Sequence, residues 1–372
     1  MAAFPYYGSA SIDALNSQAS ALLALFGERG YVREESAVLQ PAEIFVNRYG
    51  EEIRRRTFTL TDPAGHDLAL RPDLTIPICR EAVLSNRKFP ARICYNGLVF
   101  RHQPGEPHRP TQFFQAGVEL LGLEDRAAGD TEILSLAVEA LRVCGLKDFS
   151  LRVGDLSLFG ALVDALALPA QWRSRLKRHF WRPGYVESLL YWLSHGDGAV
   201  KLPGTRAEIE ALLDARTDAP LAGRTREEII ARTLDRAAEA PSLRLEGKVA
   251  NAIAALLDIS GPAQEALAKI RALLKTIEID LDPQLAAMEA RLATLKSLGV
   301  DTVQFTAHFG RNMEYYTGFV FELWARDKEG PVQVAGGGRY DSMMEMLGAK
   351  KPVSAVGCAI RTERLLAAAG GV

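Results

Sequence analysis

Hydrophobic residues recur at two different spacings along the chain, and the changes from one to the other divide it into three zones. The first zone runs to about Gly154 and opens with a predicted helix, because its apolar residues recur three and four positions apart. These residues are Ile12, Leu15, Ala19, Leu22, Leu23 and Phe26. Strand-like segments follow, in one hairpin around the turn sequence Asp-Pro-Ala-Gly at 62–65 and in a second pair around a loop rich in proline and glycine. A helix at about 130–141 and a strand at 149–154 complete the zone.

The second zone, 155–299, is predicted to be helical. Alanine and leucine dominate it, prolines punctuate it, and Thr205 with Glu208 and Thr225 with Glu228 match the capping box of a helix start. The third zone, 300–372, returns to strands and ends in a helix predicted from Arg361 to Ala369.

This order of elements predicts an α+β fold. Strands follow one another without crossover helices, which favours one antiparallel sheet flanked by helices and interrupted by an inserted helical domain. The domains expected are a first part of the core at 1–154, a helical insertion at 155–299 and a second part of the core at 300–372.

Composition narrows the function classes. The 372 residues carry a net charge of −2, which gives no general attraction to nucleic acid or to an anionic membrane. The four cysteines have no metal-ligand spacing, so we expect no metal, and no segment indicates a cofactor. No signal peptide or apolar run of membrane-spanning length is found, and a cytoplasmic protein is expected.

The hairpin sequence FRHQPGEPHRPTQFFQAGVE, at 100–119, carries the first candidate chemistry. Arg101 ends an apolar strand, and arginine binds carboxylate or phosphate in a bidentate manner. Gln115 and Glu119 lie four apart on the returning strand and therefore point to the same face. A solvated face is the alternative, but Phe113 and Gly117 alternate with them there, so a buried polar site is favoured.

A second candidate stretch is LRPDLT, at 70–75. Arg71, Asp73 and Thr75 together offer groups for a zwitterion, since Asp73 attracts an ammonium group and Thr75 offers a hydroxyl. Taken alone, the stretch favours a simpler interpretation, in which Asp73 caps the next helix.

Three further stretches lie in the last zone. RNMEYYTG places Arg311 and Glu314 beside Tyr315 and Tyr316, and phenols near a carboxylate suit a flat polar group such as imidazole, whereas the alternative is a surface turn. AGGGRYD, at 335–341, permits close approach of the backbone to a ligand or to another strand, and a plain glycine-rich hairpin is its alternative. GCAIRTERL passes from a strand into a helix.

Taken in order, these five stretches resemble class II aminoacyl-tRNA synthetases, and histidyl-tRNA synthetase most closely. LRPDLT is similar to that family's LRPEGT segment, and the 100–119 hairpin aligns without gaps to its second motif. RNMEYYTG and AGGGRYD resemble its two histidine-specific signatures, GCAIRTERL resembles the third class motif, and Pro41 stands where the dimer-forming first motif has its proline. The resemblance implies the class II synthetase fold and self-association as a dimer.

Departures from the family pattern fall on the nucleotide side. Gln103 and Thr111 stand where a synthetase has a glutamate toward adenine and an arginine on the phosphates, and Arg361 stands where it has a glycine. Losing a positioned charge of this kind typically costs a few kcal/mol of transition-state stabilisation. We also expect no anticodon-binding domain, which would occupy about one hundred residues.

The histidine side is retained, a combination that resembles the regulatory subunit of ATP phosphoribosyltransferase. That resemblance implies no catalytic residue of its own, a hetero-octamer with the short-form catalytic subunit in histidine biosynthesis, and feedback inhibition by L-histidine. The residues that the resemblance implies for histidine binding are Asp73, Leu74, Thr75, Arg101, Gln115, Glu119, Arg311, Tyr315 and Tyr316.

Three alternatives stay open at this point. In the first, the chain is an active histidyl-tRNA synthetase fragment, and Arg311 at the catalytic position favours this interpretation. In the second, it is a synthetase-like ligase that acts on another small amine. The basic run at 173–182 raises the third, an RNA-binding module, although clustered charge on a helix is more often a solvated or partner-facing surface.

Overall fold

The structure is a computed structural model. It describes residues 6–46, 50–103, 109–166, 168, 170–180, 183–195, 205–214, 226–239, 245–309 and 315–371. The helices are α1 (Ser9–Glu28), α2 (Glu43–Val46), α3 (Gly50–Arg56), α4 (Thr75–Leu84), α5 (Arg126–Val143), α6 (Leu156–Ala165), α7 (Ala170–His179), α8 (Pro183–His195), α9 (Arg206–Asp214), α10 (Arg226–Glu239), α11 (Gly247–Asp258), α12 (Ala263–Thr276), α13 (Asp282–Ser297), α14 (Asp341–Met346) and α15 (Thr362–Ala368). The strands are β1 (Val32–Arg33), β2 (Leu39–Pro41), β3 (Phe58–Thr61), β4 (Asp67–Leu70), β5 (Ala91–Phe100), β6 (Gln112–Leu121), β7 (Ser150–Asp155), β8 (Ser260–Pro262), β9 (Val303–Thr306), β10 (Phe319–Asp327), β11 (Gly330–Arg339) and β12 (Ala355–Arg361).

The main sheet has the strand order β1-β5-β6-β12-β11-β10-β7-β9-β8 in the described residues. Its centre, from β5 to β7, is antiparallel, and the pairs β1–β5 and β7–β9 are parallel. Strands from the first and third zones of the sequence therefore lie in one sheet, and the short β8, from the second zone, pairs at its edge. The predicted α+β fold, built on an antiparallel sheet flanked by helices, is confirmed.

The hairpin around residues 62–65 forms as predicted, but it lies in a second sheet of order β2-β4-β3. Asp62 closes its turn by accepting hydrogen bonds from Ala64 N at 2.8 Å and His66 N at 2.9 Å. Gly65 adopts the left-handed region, with φ of +87°, which favours glycine. The expectation of a single sheet was wrong for this hairpin, because β1 and β12 already pair with the outer edges of β5 and β6.

The two faces of the main sheet carry different helices. Helices α1, α5 and α15 pack on one face. On the other, residues of α4 and α14 share an apolar cluster with strand residues such as Ile93, Tyr95 and Phe113. The candidate residues of β6 point to this second face, because Tyr95 lies opposite Gly117 in the strand register, and side chains of paired residues share a face.

Predicted helices are largely recovered. The helix expected at 130–141 is α5, and Asp125 caps it by accepting a hydrogen bond from Ala128 N at 2.9 Å. The final helix begins at Thr362, one residue later than predicted, because Arg361 completes β12. Sequence patterns missed the short helices α2, α3 and α14.

The chain forms two compact units, and the prediction of domains at 1–154, 155–299 and 300–372 stays a prediction. The first unit comprises Met1–Ala161, Ile259–Arg271 and Leu281–Val372, and the second comprises Leu162–Asp258 and Ala272–Asp280. The second unit is helical where it is described. Its capping box at Thr205 is confirmed: Thr205 N donates to Glu208 Oε2 at 3.0 Å, and Glu208 N donates to Thr205 Oγ1 at 3.3 Å. The second predicted box begins at Thr225, which lies outside the described residues.

A buried network of charges fixes the first unit behind the sheet. Asp130 of α5, 1% exposed, accepts hydrogen bonds from Arg339 Nη2 at 2.6 Å and from Arg291 Nη2 at 2.5 Å. Arg291 also donates to Asp155 at 3.0 Å, and Arg339 donates to Asp341 at 2.9 Å. One carboxylate thus joins α5, α13 and β11, with most of the buried charge compensated.

Replacing Asp130 by asparagine should destabilise the protein by about 3–5 kcal/mol, because two buried guanidinium groups lose their shared anion. The matched control is Glu289→Gln, which breaks the exposed Arg271–Glu289 pair of 3.0 Å and should cost below about 1 kcal/mol. Urea unfolding followed by circular dichroism measures both. Equal losses in the two variants would show that the network does not hold the unit together.

Candidate functional site

The candidate site is centred on Glu119, in the middle of the main sheet. Glu119 is 1% exposed and Gln115 is 2% exposed, so the prediction that this face of β6 is not solvated is confirmed. Glu119 accepts a hydrogen bond from Tyr95 Oη at 3.0 Å and another from Tyr340 Oη. Thr75 Oγ1 lies 3.4 Å from Tyr95 Oη and extends the chain of hydroxyls. We call Glu119, Tyr95, Tyr340 and Thr75 the Glu119 cluster.

Burial raises the pKa of Glu119 from its usual 4.5 to about 8, although the hydroxyl groups of the cluster lower it in part. Burial also raises the pKa values of Tyr95 and Tyr340 well above the ordinary range, so both phenols stay neutral. A carboxyl group with neutral partners holds a proton near neutral pH and is available to a basic ligand.

Glycines allow the strands to enclose this carboxyl group. Gly357 lies opposite Glu119 in the β6–β12 register, and a Cβ atom there would collide with Glu119 Oε2. A Cβ atom at Gly117 would collide with the hydroxyl of Tyr95. In the AGGGRYD stretch, Gly337 and Gly338 approach neighbouring strands closely, as one interpretation of the sequence expected.

Asp73 lies at the start of α4 and is 7% exposed. Its Oδ1 accepts a hydrogen bond from Ile76 N at 3.0 Å, so the capping interaction expected from sequence is present. Burial raises the pKa of this carboxyl group, and the positive charge of Arg101 lowers it. The same side chain therefore both caps a helix and faces the cation of the site.

Arg101 is fixed by acceptors that carry no full charge. Its Nε donates to Pro72 O at 2.6 Å, its Nη2 donates to Gln115 Oε1 at 3.2 Å, and its guanidinium lies 5.3 Å from the centre of the Phe113 ring. Gln115 Nε2 is buried and has no hydrogen-bond partner within the described residues. A donor of this kind is available to an incoming oxygen atom.

Two tyrosines of the last zone, Tyr315 and Tyr316, pack with Tyr340 in a group that we call the aromatic wall. The ring centres of Tyr315 and Tyr316 lie 4.8 Å apart, and Tyr315 meets Tyr340 edge to face at 5.9 Å. Tyr315 is 5% exposed, which excludes the alternative of a surface turn for this residue. Arg311 and Glu314, the charged residues of the same stretch, lie outside the described residues.

Arg71 and Leu74 serve the fold in this structure. Arg71, 1% exposed, donates to Leu98 O at 2.7 Å and to Ser36 O, so it connects main-chain segments and does not project into the Glu119 cluster as a ligand group. Leu74 packs in the apolar cluster of α4. Its predicted role in binding stays a prediction, like the roles of the other candidate residues.

Sequence reasoning missed Tyr95 and Tyr340. Tyr340 stands in the AGGGRYD stretch, and Tyr95 lies on the same face of β5 as Ile93 and Gly97. The signal for Tyr95 was available only through the pairing of β5 with β6, since a lone tyrosine in an apolar strand is ordinary core.

Gln103, Thr111 and Arg361, which stand at positions where a synthetase contacts its nucleotide, also lie on this part of the fold. Gln103 and Thr111 are each 8% exposed, and Gln103 Oε1 is buried with no hydrogen-bond partner within the described part of the chain. Arg361 belongs to the end of β12, opposite Gln115, so it does not share a helical face with Arg364 as its predicted place in the last helix implied.

No group of three or more histidine, cysteine, aspartate or glutamate side chains able to hold a metal ion occurs within the ranges that the structure describes. Among those residues, no helix combines the length and hydropathy required to cross a bilayer.

Comparison with known proteins gives a consistent family assignment. The histidyl-tRNA synthetase family model matches residues 8–239 and 205–365. The ATP phosphoribosyltransferase regulatory subunit of Chelativorans sp. (strain BNC1) is 36% identical over 95% of this chain and 98% of its own length. That of Allorhizobium ampelinum is 34% identical over 93% of this chain and 96% of its own length.

Solved structures agree with this assignment. A crystal structure from Bacillus halodurans, described as an ATP phosphoribosyltransferase regulatory subunit/histidyl-tRNA synthetase, superimposes with a TM-score of 0.69. It is 25% identical, and the match covers 100% of this chain and 83% of that one. The class II synthetase fold expected from the motifs is therefore confirmed.

The raised pKa of Glu119 predicts how stability depends on pH. The folded state binds this proton more tightly than the unfolded state, so the resulting stabilisation is complete below about pH 4.5 and is lost as the pH rises to about 8. Within that window the loss should reach up to about 1.4 kcal/mol per pH unit. Glu119→Gln, which carries no titrating proton, should flatten this part of the unfolding free energy measured from pH 5 to pH 8.

The control for this experiment is Glu132→Gln. Although burial raises the pKa of Glu132, hydrogen bonds from Arg92 and Tyr31 lower it below its usual value, so Glu132 contributes no slope above pH 5. An unchanged slope in Glu119→Gln would refute the assignment of the proton to Glu119.

Proposed function

The chain belongs to the family of ATP phosphoribosyltransferase regulatory subunits, and on that premise we propose that it binds L-histidine at the Glu119 cluster and controls a catalytic subunit. The proposal covers Asp73, Leu74, Thr75, Arg101, Gln115, Glu119, Arg311, Tyr315 and Tyr316 as histidine-binding residues. It also covers histidine as the feedback inhibitor of the first step of histidine biosynthesis.

The observation that carries this proposal is a pair of buried carboxyl groups, of which Glu119 accepts hydrogen bonds from two neutral phenols. Asp73 and Glu119 are both buried, and both have pKa values raised by burial. A ligand bearing an ammonium group and an imidazole would supply the positive charge that Glu119 lacks. The rings of Tyr315 and Tyr340 offer flat surfaces beside them.

The ligand's carboxylate also has matching groups. Arg101 is held in place by Pro72 O and Gln115 Oε1, so its guanidinium is oriented before any ligand arrives. The unpartnered Gln115 Nε2 adds a donor. A zwitterion would therefore satisfy both the acidic and the basic sides of the site.

The same site lacks support for adenylate chemistry. Thr111 is neutral where a synthetase has an arginine, and Gln103 replaces a glutamate. Catalysis depends on groups that bind the transition state more strongly than the substrate, whereas sensing depends only on ligand affinity that differs between two states. We propose that this chain has no aminoacylation activity of its own.

The assembly is proposed because the relatives are regulatory subunits, and a regulatory subunit requires an enzyme to regulate. We propose a hetero-octamer with the short-form catalytic subunit, built on a dimer of this chain, in the cytoplasm. Nucleic acid and membranes are not proposed as partners.

Co-expression with a short-form ATP phosphoribosyltransferase tests the regulatory role directly. The complex should be active, and histidine should inhibit it. Asp73→Asn and Glu119→Gln should each weaken the histidine response about tenfold or more, because each removes a charged partner of the ligand. Glu132→Gln, on α5 and bound to Arg92 at 2.7 Å, is the control and should leave the response unchanged.

Assembly is measured in the same variants by analytical ultracentrifugation and should be intact. Wild-type inhibition by histidine in both Asp73→Asn and Glu119→Gln would place the effector elsewhere and refute the assigned site. Absence of any effect of the chain on the catalytic subunit would refute the function itself.

Histidine-dependent exchange between ATP and pyrophosphate separates this function from that of an active synthetase fragment. We expect no exchange above the background of a protein-free reaction. Robust exchange would show that the chain forms histidyl-adenylate and would overturn the non-catalytic assignment.

A further inference from the structure

The residues just before α1 are anchored to the last helix. Tyr6 is 93% exposed, whereas its neighbour Tyr7 contacts two other elements. Tyr7 Oη donates a hydrogen bond to Glu363 Oε1 at 3.0 Å, and Glu363 lies in the first turn of α15. The Tyr7 ring also meets the Phe114 ring of β6 edge to face, with the ring centres 5.9 Å apart. We call Tyr7, Glu363 and Phe114 the Tyr7 latch.

Glu363 takes the place of a strand partner at the end of β6. The last register pair between β6 and β12 joins Gln115 to Arg361, so the main chain of Phe114 lies beyond the end of β12. Its N–H donates instead to Glu363 Oε1 at 2.7 Å, and Thr362 Oγ1 donates to Phe114 O at 3.3 Å. The start of α15 thus satisfies main-chain groups that the sheet leaves without a strand partner.

One carboxylate oxygen therefore joins three segments of the chain, because Glu363 Oε1 accepts from both Tyr7 and Phe114. Burial raises the pKa of Glu363, and the hydrogen bonds from Phe114 N and Tyr7 lower it in part. Burial also raises the pKa of Tyr7, so its phenol stays neutral and keeps the proton that it donates. Hydrogen bonds to an ionised carboxylate are stronger than those between neutral groups, and a partly buried carboxylate that loses a donor is destabilised.

The Tyr7 latch lies behind residues of the candidate site. Side chains alternate along a strand, so Phe113 and Gln115 point to the face of Glu119, whereas Phe114 points to the face on which α1 and α15 pack. Tyr7 therefore contacts β6 from the side opposite to the site. A displacement of the main chain at Phe114 would move the side chains on both sides of it, and Gln115 is one of the proposed ligand contacts.

We propose that Tyr7 is a positioning residue, which acts through Glu363 to hold the end of β6 that carries Gln115. It makes no contact with the ligand, because it lies on the opposite face of the sheet. The inference rests on the proposed function, since it assumes a ligand at the Glu119 cluster. It adds a contact outside the site, between the segment before α1 and the start of α15, on which the affinity for that ligand depends.

Tyr7→Phe in the full-length chain tests the latch, because it keeps the ring on Phe114 and removes only the hydroxyl. Amide hydrogen exchange, followed by mass spectrometry of the peptides that cover 112–117, should become about threefold faster or more, since the acceptor of Phe114 N loses a donor that orients it. Histidine, measured by isothermal titration, should bind about threefold to tenfold more weakly, which is the scale expected for a residue that does not touch the ligand.

The matched control is Tyr31→Phe. Tyr31 Oη donates to Glu132 Oε1 of α5 at 2.8 Å, so this substitution removes the same kind of hydrogen bond outside the Tyr7 latch. Both variants should lower the urea concentration at the midpoint of unfolding. Only Tyr7→Phe should also change the exchange at 112–117 and the affinity for histidine, because a merely structural role would alter stability alone.

Substitutions at Glu363 decide whether Tyr7 acts through this carboxylate. Glu363→Ala removes the acceptor, and adding Tyr7→Phe to it should have no further effect on exchange or affinity. Glu363→Gln keeps an oxygen that can accept from Tyr7 and Phe114 N, so it should retain most of the protection at 112–117 and keeps the test valid if Glu363→Ala fails to fold. Additive effects of the two substitutions would show that Tyr7 acts by another route.

Three further outcomes would overturn the inference: unchanged exchange at 112–117 in Tyr7→Phe, the same increase in Tyr31→Phe, or faster exchange with wild-type affinity for histidine. A wild-type chain that does not bind histidine would refute the proposed function. Exchange at 112–117 would then still decide whether Tyr7 holds β6, so the two failures are distinguishable.

Discussion

Burial of the Glu119 carboxyl group in the middle of a sheet is the constraint on which the site depends. A buried carboxyl group without hydrogen bonds is costly, so its neighbours must supply donors at close range. Tyr95 and Tyr340 do so, and they reach Glu119 because Gly117 and Gly357 leave space where any side chain would collide. One acidic group therefore restricts the residue at one position on each of β5, β6 and β12.

Charge is used in two ways in this unit. Behind the sheet, Asp130 compensates the charges of two arginines. The main chain of one of them, Arg339, accepts a hydrogen bond from Thr317 N at 2.7 Å and so connects this network to the segment that carries Tyr316. On the other face, Glu119 has neutral partners. Compensated charges hold elements together, whereas incompletely compensated ones retain free energy that a ligand can release on binding.

Sequence patterns predicted most of the elements because strand alternation and helix spacing are local. The buried polar face of β6 was predicted because Gln115 and Glu119 fall on one side of an otherwise apolar strand. Contacts between distant residues were not accessible in this way. Arg71 binds carbonyl groups 27 and 35 residues away, Tyr95 becomes a partner of Glu119 only through strand pairing, and the hairpin at 58–70 joins β2 in a separate sheet. The binding roles of the candidate residues came from family resemblance, and they stay predictions.

The buried, protonated carboxyl group of Glu119 has a cost in stability that needs an explanation. A carboxyl group with a pKa of about 8 costs the fold stability at neutral pH, since the folded state must either retain a proton or bury a charge. An apolar side chain at this position would remove that cost. The proposed function gives this group a purpose, since a bound ligand with a basic ring would replace the proton by a charged hydrogen bond. In the proposed function, such a ligand would control an assembly through a difference in its affinity for two states.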